Sequence, residues 1–253
     1  MRLRLLAPMA AALSLTACGD RSKELLPDLD QVAPSAISVK RVNDRDLLVF
    51  LSSVEIVGRG PLVVAGTRTN AGDEMTARQL VRRADGSTTE YRLRSVLRFV
   101  ASETHRHWHL LGFERYELRA AGGRTVARDR KTGFCLGDRY DRAASERLPG
   151  EPAQAVWTQE CGRNDAGRRR ITEGISPGYG DDYVPLLEGQ SLDVTELPPG
   201  RYVLVHRVNA DRDLRESDYE NDAASALIEL ARGREGGVSV HVVRRCADTA
   251  ACS

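Results

Sequence analysis

The chain has little of several residue types that characterise large classes of protein. Its 253 residues contain 5% aromatic residues, three methionines and five histidines. After its first residues it has no apolar run near the roughly 20 residues that a membrane-spanning helix requires. The formal net charge is only +1, without the excess of basic residues that nucleic-acid-binding domains carry. We therefore expect neither a membrane-spanning helix nor a nucleic-acid partner.

Lysine is scarcer still. Of 37 basic residues only three are lysines, namely Lys23, Lys40 and Lys131. Lys131 follows Arg128-Asp129-Arg130, where another arginine would have supplied the same charge. A lysine can lose its proton and act as a nucleophile, whereas arginine stays charged. This position suggests a need for an amine. Considered alone, an ordinary solvated lysine is the favoured explanation of the residue.

Sustained helical periodicity is also absent, and short alternating or apolar runs replace it. Asp85-Gly86 and Gly122-Gly123 have the composition of hairpin turns. With 41% hydrophobic residues, the chain can form one sizeable core. We predict a single all-β domain, an antiparallel sandwich with long loops that carry the site, and the longest loop at 139–173. The predicted strands are 37–42, 47–57, 62–64, 89–100, 105–118, 202–208, 224–230 and 238–243.

The first residues have the pattern of an export signal. Arg2 and Arg4 precede a short apolar run that ends in Leu15-Thr16-Ala17-Cys18, which is too short to span a bilayer. Small residues before a cysteine are typical of bacterial lipoproteins, in which Cys18 would be lipidated. We expect a signal peptide at 1–17, a tether at 18–27 within a domain at 18–253, and anchoring at the outer membrane or the cell surface. An ordinary signal peptide is the alternative.

Four cysteines remain if Cys18 carries lipid. In an exported protein an even number of cysteines indicates disulfides. The local pair Cys246 and Cys252 most simply closes a C-terminal loop, which leaves Cys135 to pair with Cys161. A copper-thiolate site that uses Cys135 is the competing interpretation.

Three of the five histidines, His105, His107 and His109, occupy alternate positions. Alternate side chains of a β-strand point to the same face, so these imidazoles can converge on one ion. Zinc, copper, nickel and iron all bind such ligands, and copper(II) is held most tightly among them. A strand with solvated histidines and the site of a zinc hydrolase are the alternatives.

An acidic segment near the C-terminal end offers a different set of ligands. Glu216, Asp218, Asn221 and Asp222 provide hard oxygen atoms of the kind that calcium prefers. A solvated acidic turn would have the same composition.

Four motifs follow one another along the chain. They are His105-Arg106-His107-Trp108-His109, then Lys131-Thr132-Gly133-Phe134-Cys135-Leu136-Gly137-Asp138, then Gly174-Ile175-Ser176-Pro177-Gly178 running to Asp182-Tyr183, and finally Asn209 with Glu216-Ser217-Asp218-Tyr219-Glu220-Asn221-Asp222. In this order they resemble the catalytic domain of the lysyl oxidase family, and the chain looks like a bacterial-type lipoprotein member. The resemblance spans nearly the whole chain after the export signal.

By that resemblance, the three histidines bind copper, and Lys131 and Tyr183 are the precursors of a lysine tyrosylquinone cofactor. The resemblance implies that this cofactor oxidises primary amines or peptidyl lysine to aldehydes with O2, releasing H2O2 and NH3. It also implies a calcium site that adds Asp28 and the carbonyl of Leu29 to the acidic segment.

Some features depart from the family pattern or stay open. Thr104 stands where animal members carry a cysteine, and Asp222 stands where the family more often has asparagine. Asp181 and Asp182 both lie near Tyr183 in sequence, and neither can be chosen as the catalytic base. A copper-binding lipoprotein without a quinone is the alternative function, and the physiological amine stays unidentified.

Overall fold

A computed structural model describes residues 23–102, 106–129, 133–142, 144–185, 187, 189–234 and 236–253. Cys18, His105 and Lys131 lie outside the described residues. The described part of the chain contains 18 strands and no helix: β1 (Glu24–Leu25), β2 (Leu29–Gln31), β3 (Ser35–Val42), β4 (Arg45–Ile56), β5 (Leu62–Thr67), β6 (Glu74–Arg83), β7 (Thr88–Ala101), β8 (Arg106–Leu111), β9 (Glu114–Ala120), β10 (Thr125–Arg128), β11 (Gly133–Phe134), β12 (Tyr140–Asp141), β13 (Arg170–Ile175), β14 (Tyr179–Tyr183), β15 (Ser191–Asp193), β16 (Gly200–Val208), β17 (Ala223–Arg232) and β18 (Val238–Cys246).

The strands form three antiparallel sheets, which confirms the predicted all-β class. The first sheet has the order β11-β8-β7-β6-β5-β13, with β1 paired to β6. The second has the order β10-β9-β16-β17-β18. In the third, β12, β14, β4 and β15 follow one another, and β2 and β3 also pair with the long strand β4.

The core lies between these sheets and is contiguous. Alternation of buried and exposed residues is clear in β6 and β9, because successive strand side chains point to opposite faces. Its largest fully buried aromatic members are Phe50, Trp108, Phe113, Tyr116 and Phe134, each at most 1% exposed. Trp108 lies on the histidine strand β8, Phe134 lies on β11, which pairs with β8, and Phe50 lies on β4, which pairs with the strand of Tyr183.

The predicted strand at 105–118 is wrong as a single element. The structure divides it at Gly112, which has a φ of 71°, a conformation that glycine adopts without strain. From there the chain passes from β8 in the first sheet to β9 in the second. The residues on both sides of Gly112 are apolar because those of β8 pack into the core from the first sheet and those of β9 pack into it from the second.

Most other predicted strands are confirmed to within a few residues, and both predicted glycine turns connect hairpins. The sequence did not predict β6, β13 or β14, nor the short strands β1, β2, β10, β11, β12 and β15. The predicted loop at 139–173 is confirmed for residues 144–169, which form no strand, and is wrong at its two ends, where β12 and the start of β13 lie. No helix in the described residues is both long and apolar enough to cross a membrane.

Both predicted disulfides are present. Cys135 pairs with Cys161 at a Cα–Cα distance of 5.7 Å, and Cys246 pairs with Cys252 at 5.6 Å. The first bond fastens the segment after β11 to the long loop. A copper-thiolate site at Cys135 is therefore wrong, because its sulfur is consumed in a disulfide.

Candidate active site

Strand β8 presents two of the three clustered histidines side by side. The ring centroids of His107 and His109 lie 4.6 Å apart with a tilt of 52°, as expected for alternate residues of one strand. Trp108 between them points into the core, is fully buried, and donates its indole N–H to the carbonyl of Asp165 at 3.1 Å. The histidine face of β8 is therefore opposite the core face that holds the indole.

The strand next to β8 at the sheet edge is β11, which begins two residues after Lys131 in sequence. Gly133 pairs with Leu111 and Phe134 with Leu110. A Cβ at Gly133 would lie 2.8 Å from the Cβ of His109. Only glycine allows the two backbones to approach this closely, so the segment after Lys131 is fixed against the histidine strand.

Tyr183 ends β14 and contacts the same segment. Its ring meets Phe134 edge-on, with centroids 4.6 Å apart at 89°. Its hydroxyl has two acceptors for its single proton, the carbonyl of Cys135 and Oδ2 of Asp181, both 3.0 Å away. The side-chain amide of Gln190 donates to the Tyr183 carbonyl at 2.7 Å. Burial and the neighbouring Asp181 charge raise the pKa of the Tyr183 phenol well above its ordinary value.

Asp181 is the buried acid of this site, with 1% of its surface exposed. The backbone N–H of Gly137 donates to Oδ2 at 3.2 Å, and Nε of Arg139 lies 3.6 Å from Oδ1. Burial raises the pKa of Asp181 to about 8, although Arg139, the Tyr183 hydroxyl and the Gly137 N–H oppose the rise. Its neighbour Asp182 is only half-buried and points to the other face of β14.

Two further buried acids, which the sequence did not predict as site residues, lie near this site. Glu173 is fully buried beside the Cys135–Cys161 disulfide, and burial raises the pKa of its carboxyl well above the ordinary value. Glu114 accepts hydrogen bonds from Ser52 and from the Tyr116 hydroxyl.

The sequence contains a pattern that could have predicted the buried Glu173. This residue alternates with Ile171 and Ile175, so the three side chains share one face of a strand. A charged residue on the apolar face of a strand indicates a special environment.

The predicted calcium ligands come together from both ends of the domain. The backbone N–H of Leu29 donates to Glu216 at 3.0 Å, and the Asn221 side-chain amide donates to Asp28 at 2.7 Å. We call Asp28, Glu216, Asn221 and Asp222 the acidic cluster. In the described part of the chain, the buried oxygens Asn221 Oδ1 and Asp222 Oδ1 accept no hydrogen bond.

The charges in the acidic cluster are strongly perturbed. Burial and repulsion by Asp222 raise the pKa of Glu216 to about 8, and burial raises that of Asp222 to about 7. Unfilled buried acceptors together with destabilised carboxylates are the features that a bound cation would satisfy. Asp218 is not brought into this cluster, since its side chain is exposed and accepts the Glu220 N–H at 2.8 Å.

A cleft of about 670 Å³ opens near the two chain segments that flank the predicted cofactor residues in sequence. Val126 and Arg128 line it shortly before Lys131, and Gly189 and Ser191 line it shortly after Tyr183. Arg45 from β4 and Asp193 from β15 also contribute to the lining and approach each other to 3.9 Å.

Comparison with known proteins identifies one family. The model of the Lysyl oxidase family matches residues 85–236. Lysyl oxidase homolog 2A of Danio rerio is 32% identical over 142 residues, which cover 55% of this chain and 17% of that protein. Protein-lysine 6-oxidase of Rattus norvegicus is 32% identical over 127 residues, which cover 49% of this chain and 26% of that protein.

Lysyl oxidase homolog 1 of Homo sapiens is 31% identical over 129 residues, covering 49% of this chain and 19% of that protein. The chain thus spans between 17% and 26% of the length of these three relatives. The family match contains the histidine strand, Lys131, Tyr183 and the segment from Glu216 to Asp222.

Proposed function

Because the chain belongs to the lysyl oxidase family, we propose that it is a copper-dependent amine oxidase with a lysine tyrosylquinone cofactor built from Lys131 and Tyr183. It oxidises primary amines or peptidyl lysine to aldehydes with O2 and releases H2O2 and NH3. The cofactor supplies a reactive carbonyl that condenses with the substrate amine.

One observation carries this proposal. The Tyr183 ring packs on Phe134 and its hydroxyl donates to the carbonyl of Cys135, so it contacts the segment that directly follows Lys131 in sequence. The Cys135–Cys161 disulfide and the pairing of β11 with β8 hold that segment in place. Neither a copper-binding protein without a quinone nor a zinc hydrolase requires this arrangement.

The residues present fit a copper ion. His107 and His109 lie on one face of β8 with their rings 4.6 Å apart, and imidazole is a preferred copper ligand. We assign His105 as the third ligand from its position in the same alternation. Together these residues would hold the metal that cofactor formation needs.

We also propose that the acidic cluster, with the Leu29 carbonyl, holds calcium, whereas Asp218, which the family resemblance adds as a ligand, lies exposed outside the cluster. The buried oxygens Asn221 Oδ1 and Asp222 Oδ1 support this assignment, since they accept no hydrogen bond from the described residues. A divalent cation there would neutralise Glu216 and Asp222 and tie the segment at Asp28 to the one at Asn221.

For localisation, we propose that the protein is exported and that Cys18 is lipidated. The lipid anchor would then be its only contact with the membrane. Replacing Cys18 with alanine should release the protein from the membrane fraction of an expressing cell. Retention of the Cys18→Ala protein in that fraction would contradict a lipid anchor.

The decisive experiment is phenylhydrazine labelling of the copper-loaded protein, followed by mass mapping of the peptides. We expect a labelled crosslink between the peptides of Lys131 and Tyr183, and peroxide in proportion to aldehyde when a primary amine is added. Tyr183→Phe is the matched control, because it keeps the ring packing on Phe134 and removes only the phenol oxygen.

Copper binding without label or peroxide would favour the copper-binding lipoprotein. Turnover in the absence of oxygen, with no peroxide released, would favour a hydrolase.

A further inference from the structure

Strand geometry separates the two aspartates that precede Tyr183. Asp181 and Tyr183 are alternate residues of β14 and share one face, whereas Asp182 points to the other. The Asp181 carboxylate oxygen Oδ2 accepts the Tyr183 hydroxyl at 3.0 Å. That distance lies within the range over which a general base takes a proton directly.

The surroundings hold the Asp181 carboxylate in this position. The Gly137 N–H donates to the same oxygen that faces the phenol, and Arg139 approaches the other oxygen. Gly137 and Arg139 both follow Cys135, whose carbonyl also accepts the Tyr183 hydroxyl. One short segment therefore positions both the acid and the phenol.

We propose that Asp181 is the base that accepts the phenol proton of Tyr183 when this ring is oxidised to form the cofactor. In this step the O–H bond breaks, its electron pair stays on the phenolate oxygen, and the proton passes to Oδ2 of Asp181. The oxidant is the O2 of the proposed reaction. This inference rests on the proposed function, and it assigns the role that the sequence left open between Asp181 and Asp182.

Several charges act on Asp181 from the elements that pack around it. Arg139 favours its ionised form, whereas Glu114 disfavours it, and Asp181 and the buried Glu173 are close enough to repel. With burial included, the pKa of Asp181 is about 8. A base must be ionised to accept a proton, so cofactor formation should accelerate as pH rises through that region.

The first test compares Asp181→Asn with the matched control Asp182→Asn in metal-free protein to which copper and O2 are added. Copper binding, measured separately, should be unchanged in both variants. The quinone absorbance should appear at least about 100-fold more slowly in Asp181→Asn, the usual contribution of a general base, and within about twofold of the wild-type rate in Asp182→Asn.

A second measurement, made on metal-free protein, tests whether Asp181 accepts the proton or acts only through its negative charge. Ultraviolet titration, with Tyr183→Phe subtracted, follows this one phenol among the seven tyrosines. Removing the Asp181 charge should lower the pKa of Tyr183. If Asp181 acted only through its charge, the Asn variant would therefore form the cofactor faster, whereas loss of a base makes it slower.

The wild-type protein provides a third test, which does not depend on whether the Asp181→Asn variant folds. With copper saturated at each pH, the rate of quinone formation should rise between pH 6 and about pH 9 through the Asp181 pKa of about 8. A rate that does not change over this range, or an Asp181→Asn rate equal to wild type, would overturn the assignment. Absence of any quinone in copper-loaded wild-type protein would instead overturn the proposed function.

Discussion

Asp181 and the acidic cluster are two places where this fold buries carboxylates, and their neighbours differ. Asp181 faces a phenol hydroxyl, a backbone N–H and the guanidinium of Arg139. In the acidic cluster, Glu216 faces another acid, Asp222, whose charge is favoured by Arg212 and Arg207. Burial raises the pKa of the carboxyl in both places.

The difference shows what each group is suited to bind. Asp181 Oδ2 accepts two hydrogen bonds, and its Oδ1, which accepts none among the described residues, lies 3.6 Å from Nε of Arg139. In the acidic cluster, Asn221 Oδ1 and Asp222 Oδ1 accept no hydrogen bond in the described part of the chain, and Asp222 lies beside a second acid, Glu216. A single proton would therefore not satisfy the cluster. The same burial therefore favours proton exchange beside Tyr183 and cation binding beside Asp28.

The largest effect should come from Lys131→Arg, which removes a proposed cofactor precursor and leaves the acidic cluster unchanged. Amine oxidation should fall to background, because a guanidinium has no free amine to form the crosslink. Folding, copper content and calcium response should stay near wild type. If Lys131 were only a surface cation, the exchange would instead be silent, with the unfolding free energy within about 0.5 kcal/mol of wild type. Near-native turnover of the copper-loaded variant would point to a quinone made from Tyr183 alone.

Calcium removal should affect the acidic cluster, and its main effect should be a loss of thermal stability. A ligand present at about 100 times its Kd stabilises the fold by about 2.7 kcal/mol, which for a domain of this size corresponds to roughly 5–10 °C in Tm. Chelation followed by a thermal melt should show this loss, and added calcium should reverse it. An unchanged melting curve would leave the acidic cluster as a structural turn without an ion.

The sequence predicts the β class because alternation survives in most strands, and it predicts the two disulfides because the cysteines are few. It does not predict β6, where buried Gln79 interrupts the apolar face formed by Met75, Ala77 and Val81. The order of motifs predicts Tyr183 as a site residue. The choice of Asp181 over Asp182 required knowledge that β14 is a strand, since only its alternation places one acid beside the phenol.

The stability of the protein should depend on pH more strongly when the acidic cluster is empty than when it holds a cation. The folded-state pKa values of Glu216 and Asp222, about 8 and about 7, lie above their ordinary values. The folded state therefore binds protons more tightly than the unfolded state, and stability is lost as pH rises from about 4 to about 8.

Thermal melts of chelated protein should thus show Tm falling between pH 5 and pH 8. Calcium should remove much of this decline, because a bound cation keeps both carboxylates ionised. A decline of equal slope with saturating calcium would assign it to other buried acids, such as Asp181 and Glu173.

The smallest effect should be that of Glu216→Gln, which removes one charge from the cluster at nearly constant volume. Without calcium, the variant should be more stable than wild type by about 1 kcal/mol at pH 8, because a buried repulsion disappears. Its stabilisation by calcium should be lost.

Glu220→Gln is the matched control on the same loop, since Glu220 is exposed. Denaturant unfolding with and without calcium measures both variants. A Glu216→Gln protein that responds to calcium like wild type would contradict the ligand assignment.

The alternation of β8 has a consequence for the fidelity of folding. Trp108 is fully buried between two histidines that share the opposite face. A slip of one residue in the pairing of β8 with β7 would move the indole off the core face and place the histidines on it. Losing the burial of such a side chain costs about 3 kcal/mol, and the partly exposed His107 would lose its contact with water as well, whereas His109 is already buried. The hydrophobic core thus selects the register that assembles the histidine face, before any metal is bound.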